Sequence, residues 1–495
     1  MPSPAIKSIV IAGGGTAGWM TAAALAKVFG RTLDITLIES EEIGTIGVGE
    51  ATIPAITNFN VMLGIDEDTF MRETQGTFKL GIEFRDWYRK GQGYLHSFGA
   101  AGQDFGYIPF HHYWLQDYFD GGRTSLWDYD FNAIAMAQGK FERPRPGAPG
   151  LVYAFHFDAG LYAAYLRRYA ERLGVKRIEG KISDVKLDAQ TGDISGLVMD
   201  NATVNGDFFI DCSGFRALLI EGALKTGYTD WSHWLPCDRA LAVPCESAQP
   251  LTPFTRATAR DAGWQWRIPL QHRTGNGHVY ASSHMSDDQA HDVLMANLDG
   301  KPLADPRPIR FLTGRRKQFW NRNCVAIGLS GGFIEPLEST SIHLIQSGIE
   351  RLIMLFPRAG DNDRLRDEYN LAGTLDIEFI RDFIILHYHA NAREGEAFWD
   401  ACRHMSVPDS LTHKIELFRQ SAAIHIPPFD LFRLPSWLQV MLGQGIMPQS
   451  VHPYVTAVSQ QTRTQFLGQL RSGLMQEVMK LPEHGNYIAQ HCRAG

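Results

Sequence analysis

Three stretches of this chain hold residues whose types and spacing could do chemistry. Gly13-Gly14-Gly15-Thr16-Ala17-Gly18 reads Gly-x-Gly-x-x-Gly, a turn whose backbone can cradle a pyrophosphate at a helix start. Glu39 stands 21 positions after Gly18, close to the spacing at which an acid bonds a ribose hydroxyl. Trp264-Gln265-Trp266-Arg267-Ile268-Pro269 places two indoles on one face of a strand, with Pro269 stopping the ladder; alone, such a pair is more simply a core face. Lys79 is a lone charge among apolar neighbours in Gly76-Thr77-Phe78-Lys79-Leu80-Gly81. Burial lowers a lysine pKa, so a dry lysine can serve as ammonium donor or neutral amine. The plainer reading is a snorkelling side chain at a strand end.

The elements around these residues predict an α/β fold. Ser8–Ala12 is a short buried strand, residues 17–26 are rich in helix formers, and Asp34–Glu39 reads as a second strand ending in the acid. Together they make a dinucleotide-binding unit. Glycines crowd residues 44–49, and Ala51-Thr52-Ile53-Pro54 looks like a helix entrance capped by Thr52. Residues 76–84 alternate like one strand. Residues 90–150 are dense in aromatics, Gly and Pro, as functional loops often are. Asp158 is expected to cap a helix through Leu173. Strands over 177–187, 194–199 and 202–204, with turns at Thr191-Gly192 and Asp200-Asn201, form an antiparallel meander before the chain returns to a buried strand at Phe208. From Leu235 to Ser283 strands dominate and suggest a second sheet layer. Cys324–Phe333 is another strand with glycines, Ser341–Phe356 an apolar helix, and the pattern beyond 360 is helical. This divides the chain into residues 1–360, a Rossmann-type cofactor domain with an inserted sheet and loops, and 361–495, a mainly helical part completing the substrate pocket.

With 495 residues, 44% hydrophobic and 20% charged, the chain can bury a large core. A net charge of −7 offers no basic surface for nucleic acid. No apolar run is long enough for a membrane helix, and the N-terminus makes a poor signal peptide. Six scattered cysteines without a Cys-x-x-Cys pair fit reduced thiols in a cytoplasmic protein and give no metal site.

A meander inserted before the return to the parallel sheet resembles flavin monooxygenase-type folds and points to FAD. The tryptophan string resembles the W-x-W-x-I-P signature of flavin-dependent halogenases, the family that includes the tryptophan halogenases. Glu335-Pro336-Leu337-Glu338-Ser339-Thr340 resembles that family's E-P-L-E-S-T segment, Phe78-Lys79-Leu80-Gly81 the surroundings of its catalytic lysine, and Gly47-Val48-Gly49-Glu50-Ala51-Thr52 its second flavin-contacting loop. The matches run in order over residues 8–345. The resemblance implies flavin contacts at Gly13, Gly15, Thr16, Ala17, Gly18, Glu39, Gly49, Glu50, Ala51, Val185, Leu329 and Ile342. It implies a halide at Thr340 and Ser341, and a gate at Trp264 and Trp266 that keeps substrate from the flavin. His96 and Phe98 resemble residues that sandwich an indole.

The chemistry implied is electrophilic halogenation of an indole-type aromatic. Reduced FAD and oxygen convert chloride or bromide to hypohalous acid, Lys79 delivers the halogen, and Glu338 stabilises ring charge and accepts the proton. Ser341 stands where many tryptophan-specific members carry glycine, which opens a preference for bromide. The family's Tyr-Tyr pair for the amino acid is missing from residues 435–445, which argues against free tryptophan as substrate. With one dinucleotide fingerprint, the enzyme would need a separate flavin reductase; homodimerisation stays open. A flavin-dependent aromatic hydroxylase shares the fold and is the alternative, needing neither Lys79 nor the gate.

Overall fold

The computed structural model describes residues 6–42, 49–145, 150–200, 202–247 and 249–495. They form two compact units that interleave along the chain: residues 1–75, 157–238 and 310–378 in the first, and 76–156, 239–309 and 379–495 in the second. The linear division near residue 360 does not coincide with these units, because the second sheet is built from segments inserted between strands of the first.

The first unit holds a six-stranded sheet in the order Trp320–Asn321, Cys324–Ala326, Phe208–Asp211, Ser8–Ala12, Asp34–Glu39, Lys176–Glu179. All neighbours are parallel except the first pair. Its central strands are continuous apolar runs because both faces are covered; Ile9, Val10, Ile11 and Ala12 are all buried. Helix Thr16–Phe29 buries every residue from Gly18 to Ala26 and packs against helices Ala159–Arg172 and Ser341–Met354. Asp158 caps the former as expected, accepting from the Leu161 N–H.

The sequence reading of one strand over 177–187 is corrected. Lys176–Glu179 joins the parallel sheet beside Asp34–Glu39, while Asp184–Leu187 starts the antiparallel meander with Ile194–Met199 and Ala202–Asn205. Gly180, at φ +154°, lets the chain leave one sheet for the other. Gly192 turns at φ +73° as anticipated; Asn201 lies outside the described residues. Thr52 caps no helix: the next begins at Ala55 behind Pro54, with no side-chain cap.

The second unit holds a seven-stranded sheet, ordered Arg307–Arg310, Arg239–Cys245, Thr274–Tyr280, Gly263–Pro269, Thr255–Arg260, Gly81–Arg85, Gly93–Ser97. The expected single strand over 76–84 is two. Thr77–Lys79 pairs with Ala154–His156, and Gly81–Arg85 pairs with Thr255–Thr258 and Gly93–Ser97. Leu80 is the corner, its N–H donating to Pro253 O at 2.8 Å. Helix Leu434–Gly443 lies against strand Gly93–Ser97, and Gln439 Oε1 accepts from the Ser97 N–H at 2.8 Å. All six cysteines are buried thiols outside any disulfide. Among the described residues, no helix is long and apolar enough to cross a membrane.

Candidate active site

In the first unit the fingerprint folds as its glycines require. Gly13 sits at φ +111°, and a Cβ there would run into Cys212 O. A Cβ on Gly18 would collide with Gly13 O, whereas one on Gly15 would meet no heavy atom within 4 Å. Gly15 therefore faces open space at the start of helix Thr16–Phe29, which fits a cofactor pyrophosphate on the free N–H groups. Glu39 ends its strand as the spacing predicts. Its carboxylate accepts from Arg177 Nε at 2.5 Å and Trp19 Nε1 at 3.3 Å. Gly14, which the motif leaves unspecified, is the residue that makes room for Glu39: a Cβ there would overlap the carboxylate.

The other cofactor candidates cluster unevenly. Leu329 lies in the turn Gly328–Ser330, where a Cβ on Gly328 would stand 2.8 Å from Ala17 Cβ, so this turn rests on the fingerprint helix. Ile342 is buried in helix Ser341–Met354. Val185 packs against the core of the parallel sheet. Gly49–Ala51 is a short strand, and burial of Glu50 pushes its carboxyl up to about 7; Gly47 and Val48 lie outside the described residues. Asp211, missed in the sequence, organises this region. It is fully buried, takes the N–H groups of Leu219 and Ile220 at 2.8 and 2.9 Å, and binds Ser213. An acid ending a buried strand before Ser-Gly was the available signal.

The Glu338 segment is a tight turn, Pro336–Glu338, followed by Ser339 at φ +60°. A non-glycine residue in that region stores about 1–3 kcal/mol of strain, which clusters at functional sites. Glu338 and Thr340 are each 1% exposed. Thr340 immediately precedes helix Ser341–Met354 but makes no side-chain cap. Its Oγ1 is buried with no hydrogen-bond partner among the described residues. A buried donor beside free helical N–H groups is a donor set that fits an anion such as halide.

The second unit holds Lys79, His96, Phe98 and the tryptophans. Lys79 ends the strand Thr77–Lys79 and is 0% exposed. Its Nζ lies 5.2 Å from the Phe98 ring centroid, a cation–π distance. The Phe98 N–H donates to Leu80 O at 2.9 Å, so the strand corner that sets Lys79 also sets Phe98. His96 is buried against Phe383 and Phe432, with ring centroids at 5.6 and 6.2 Å, and Phe383 stacks on Phe432 at 3.9 Å and meets Trp437 edge-on. His96 is thus part of an aromatic cluster. Trp264 and Trp266 lie 6.1 Å apart in a wholly buried strand. Opposite Trp266 stands Gly277, where any Cβ would strike the indole. Two further histidines were missed. His156 bridges Thr77 and Thr255, and burial, then the Lys79 charge, hold its pKa well below the usual value. His484 accepts from the Phe78 N–H. No pattern in the sequence marks either.

A sequence profile described as tryptophan halogenase matches residues 8–460. The chain belongs to the tryptophan halogenase family. It is 38% identical to the tryptophan 6-halogenase SttH of Streptomyces toxytricini, over 88% of this chain and 89% of that protein. It is 34% identical to the tryptophan 7-halogenase RebH of Lentzea aerocolonigenes, over 93% of each. Among solved structures it is similar to Xcc4156, a flavin-dependent halogenase from Xanthomonas campestris, at 49% identity and TM-score 0.97 over 99% of both chains. It is also similar to BrvH, a flavin-dependent halogenase from Brevundimonas, at 46% and 0.95 over 99% of both. This halogenase is therefore a flavin-dependent enzyme on a Rossmann-type fold, and the hydroxylase reading is not favoured.

Proposed function

We propose that this halogenase attaches bromide or chloride to an indole-type aromatic. Gly13–Gly18 would hold the pyrophosphate of reduced FAD and Glu39 its ribose, and the bound cofactor would supply the oxidation of halide by oxygen to hypohalous acid. The residues then divide the work. Thr340 Oγ1 and the N–H groups at Ser341 hold the halide. Lys79 binds the hypohalous acid as hydrogen-bond donor or carries its halogen on the amine. With Lys79 as ammonium, the carbon–halogen bond forms at the ring as the oxygen–halogen bond breaks, the departing hydroxide takes a Lys79 proton to leave as water, and the ring proton passes to Glu338. With Lys79 as neutral amine, water is released as the nitrogen–halogen bond forms, that bond breaks at the ring to return the amine, and Glu338 again takes the ring proton. Trp264 and Trp266 keep the aromatic away from the cofactor.

The observation that carries this reading is Lys79, fully buried with Nζ over Phe98. The relatives' names supply the indole chemistry. Residues 435–445 lack the Tyr-Tyr pair that the resemblance associates with holding the amino acid, which favours indole over free tryptophan. Reduced flavin would come from a separate reductase in the cytoplasm. Incubation with FAD, a flavin reductase, NADH, bromide and indole should give a bromine mass shift that Lys79→Ala abolishes. Oxygenated product without bromine would establish the hydroxylase instead, and bromination unchanged in Lys79→Ala would overturn the role given to the lysine.

A further inference from the structure

The strand that carries Lys79 is only three residues long, and one edge of it pairs with Ala154–His156. Alternate N–H groups of a strand point to opposite edges, so that of Phe78 aims away from this partner. It donates to His484 Nε2 at 3.2 Å. The other ring nitrogen, Nδ1, lies 3.0 Å from Leu251 O. These partners decide the tautomer. A backbone N–H can only donate and a carbonyl can only accept, so Nδ1 carries the proton and Nε2 is bare. His484 is 0% exposed, and burial holds its pKa down to about 4.

His484 is itself held. Its N–H donates to Gly139 O at 2.9 Å, and the Phe141 N–H to Pro482 O at 3.1 Å. Phe141 stacks on Phe78 at 4.0 Å and meets the imidazole edge-on at 5.9 Å. On the opposite edge, Thr77 Oγ1 donates to Pro269 O at 2.7 Å and so accepts from His156 Nδ1 at 2.9 Å. Pro269 ends the strand of Trp264 and Trp266. The residue before Lys79 is therefore fixed through its backbone, and the one before that through its side chain.

We infer that His484, as its neutral Nδ1–H tautomer, is a positioning residue for Lys79: it fixes the Thr77–Phe78 peptide, one residue ahead of the lysine in the same short strand. This rests on the assignment of Lys79 as the halogen-delivering group. A lysine displaced by about an ångström loses on the order of 10²-fold in rate, while oxidant production, which belongs to the cofactor, continues. The halogen then escapes as free hypohalous acid.

The test compares Lys79→Ala, His484→Phe and His484→Gln in the full-length, flavin-loaded enzyme with bromide and indole. Phenylalanine keeps the ring volume; a smaller residue would extend the neighbouring cleft of about 690 Å³ and admit water to the Phe78 N–H. Glutamine keeps one acceptor and one donor. In His484→Phe, kcat for bromoindole should fall at least about tenfold with KM and flavin affinity unchanged, and hypobromous acid caught by a soluble trap should rise to match. His484→Gln should restore coupling to within about threefold. A His484→Phe enzyme that stays coupled, or one whose loss lies in flavin affinity or KM, overturns the inference. In the unmodified protein, long-range ¹H–¹⁵N spectra of labelled histidine should show the Nδ1–H tautomer at the signal missing from His484→Gln. A protonated Nε2 there overturns the inference even if His484→Phe fails to fold. Bromination that survives Lys79→Ala instead overturns the function proposed for the lysine.

Discussion

The two units build their candidate residues in opposite ways. In the first, much of the work falls to backbone: glycines that open space at residues 13–18, strand ends, and helix starts with free N–H groups, each shaped by neighbours close to it in sequence. In the second, single side chains do the work, and each is held by residues from elsewhere in the chain: Lys79 by segments near 98, 156, 269 and 484. Backbone sites tolerate most side-chain changes but not an added Cβ. Side-chain sites tolerate small shape changes but depend on every distant anchor.

Substitutions can break this contrast. Lys79→Ala should cost about 10³-fold in halogenation rate while leaving flavin affinity untouched; a flavin titration beside a turnover assay measures both, and parallel losses would erase the distinction. Gly15→Val should do the reverse. Its new side chain enters open space, so thermal stability of the flavin-free protein stays put, while displaced phosphate hydrogen bonds weaken flavin binding about a hundredfold.

Acidity sharpens the contrast further. His278 and His484, both in the second unit, are held by burial at about 4 against 6.5 for the free side chain. Between those values the unfolded chain takes up protons that the folded one refuses, so stability falls as pH drops from about 6.5 to 4. The loss is on the order of 3 kcal/mol per histidine. Glu50 in the first unit has the opposite sign. Held at about 7 against 4.5, it costs stability as pH rises from 4.5 to 7, by up to about 3 kcal/mol. Hydrogen exchange resolved by segment should show the second unit opening first in acid. Glu50→Gln should raise the unfolding midpoint of the flavin-free protein at pH 8 and leave it unmoved at pH 4. The smallest effect is expected for Gly277→Ala, where the methyl meets the Trp266 indole: about 1–3 kcal/mol of stability lost in denaturant melts, with flavin affinity intact.

The same contrast explains what could be read in advance. The fingerprint, Glu39 and the Asp158 cap were legible because each is decided by neighbours within one turn or one strand. Lys79 could be named by resemblance, but not its corner at Leu80, because the switch of sheets is set by Pro253, far away in sequence. The strand over 177–187 was misread for a related reason. Periodicity continues through Gly180, and only pairing with Asp34–Glu39 shows where one strand ends. His156 and His484 carry no local signal, since their roles exist only once distant segments meet.

The hydrogen bond from Phe78 to His484 joins residues 406 positions apart. During synthesis at about 5–20 residues per second, the lysine strand leaves the ribosome roughly 20–80 s before its anchor is made. Within that interval the rest of the first unit, through residue 378, is translated. A nascent chain could thus acquire the means to hold flavin well before it can restrain the lysine, and restraint of the oxidant is the last property the growing polypeptide gains.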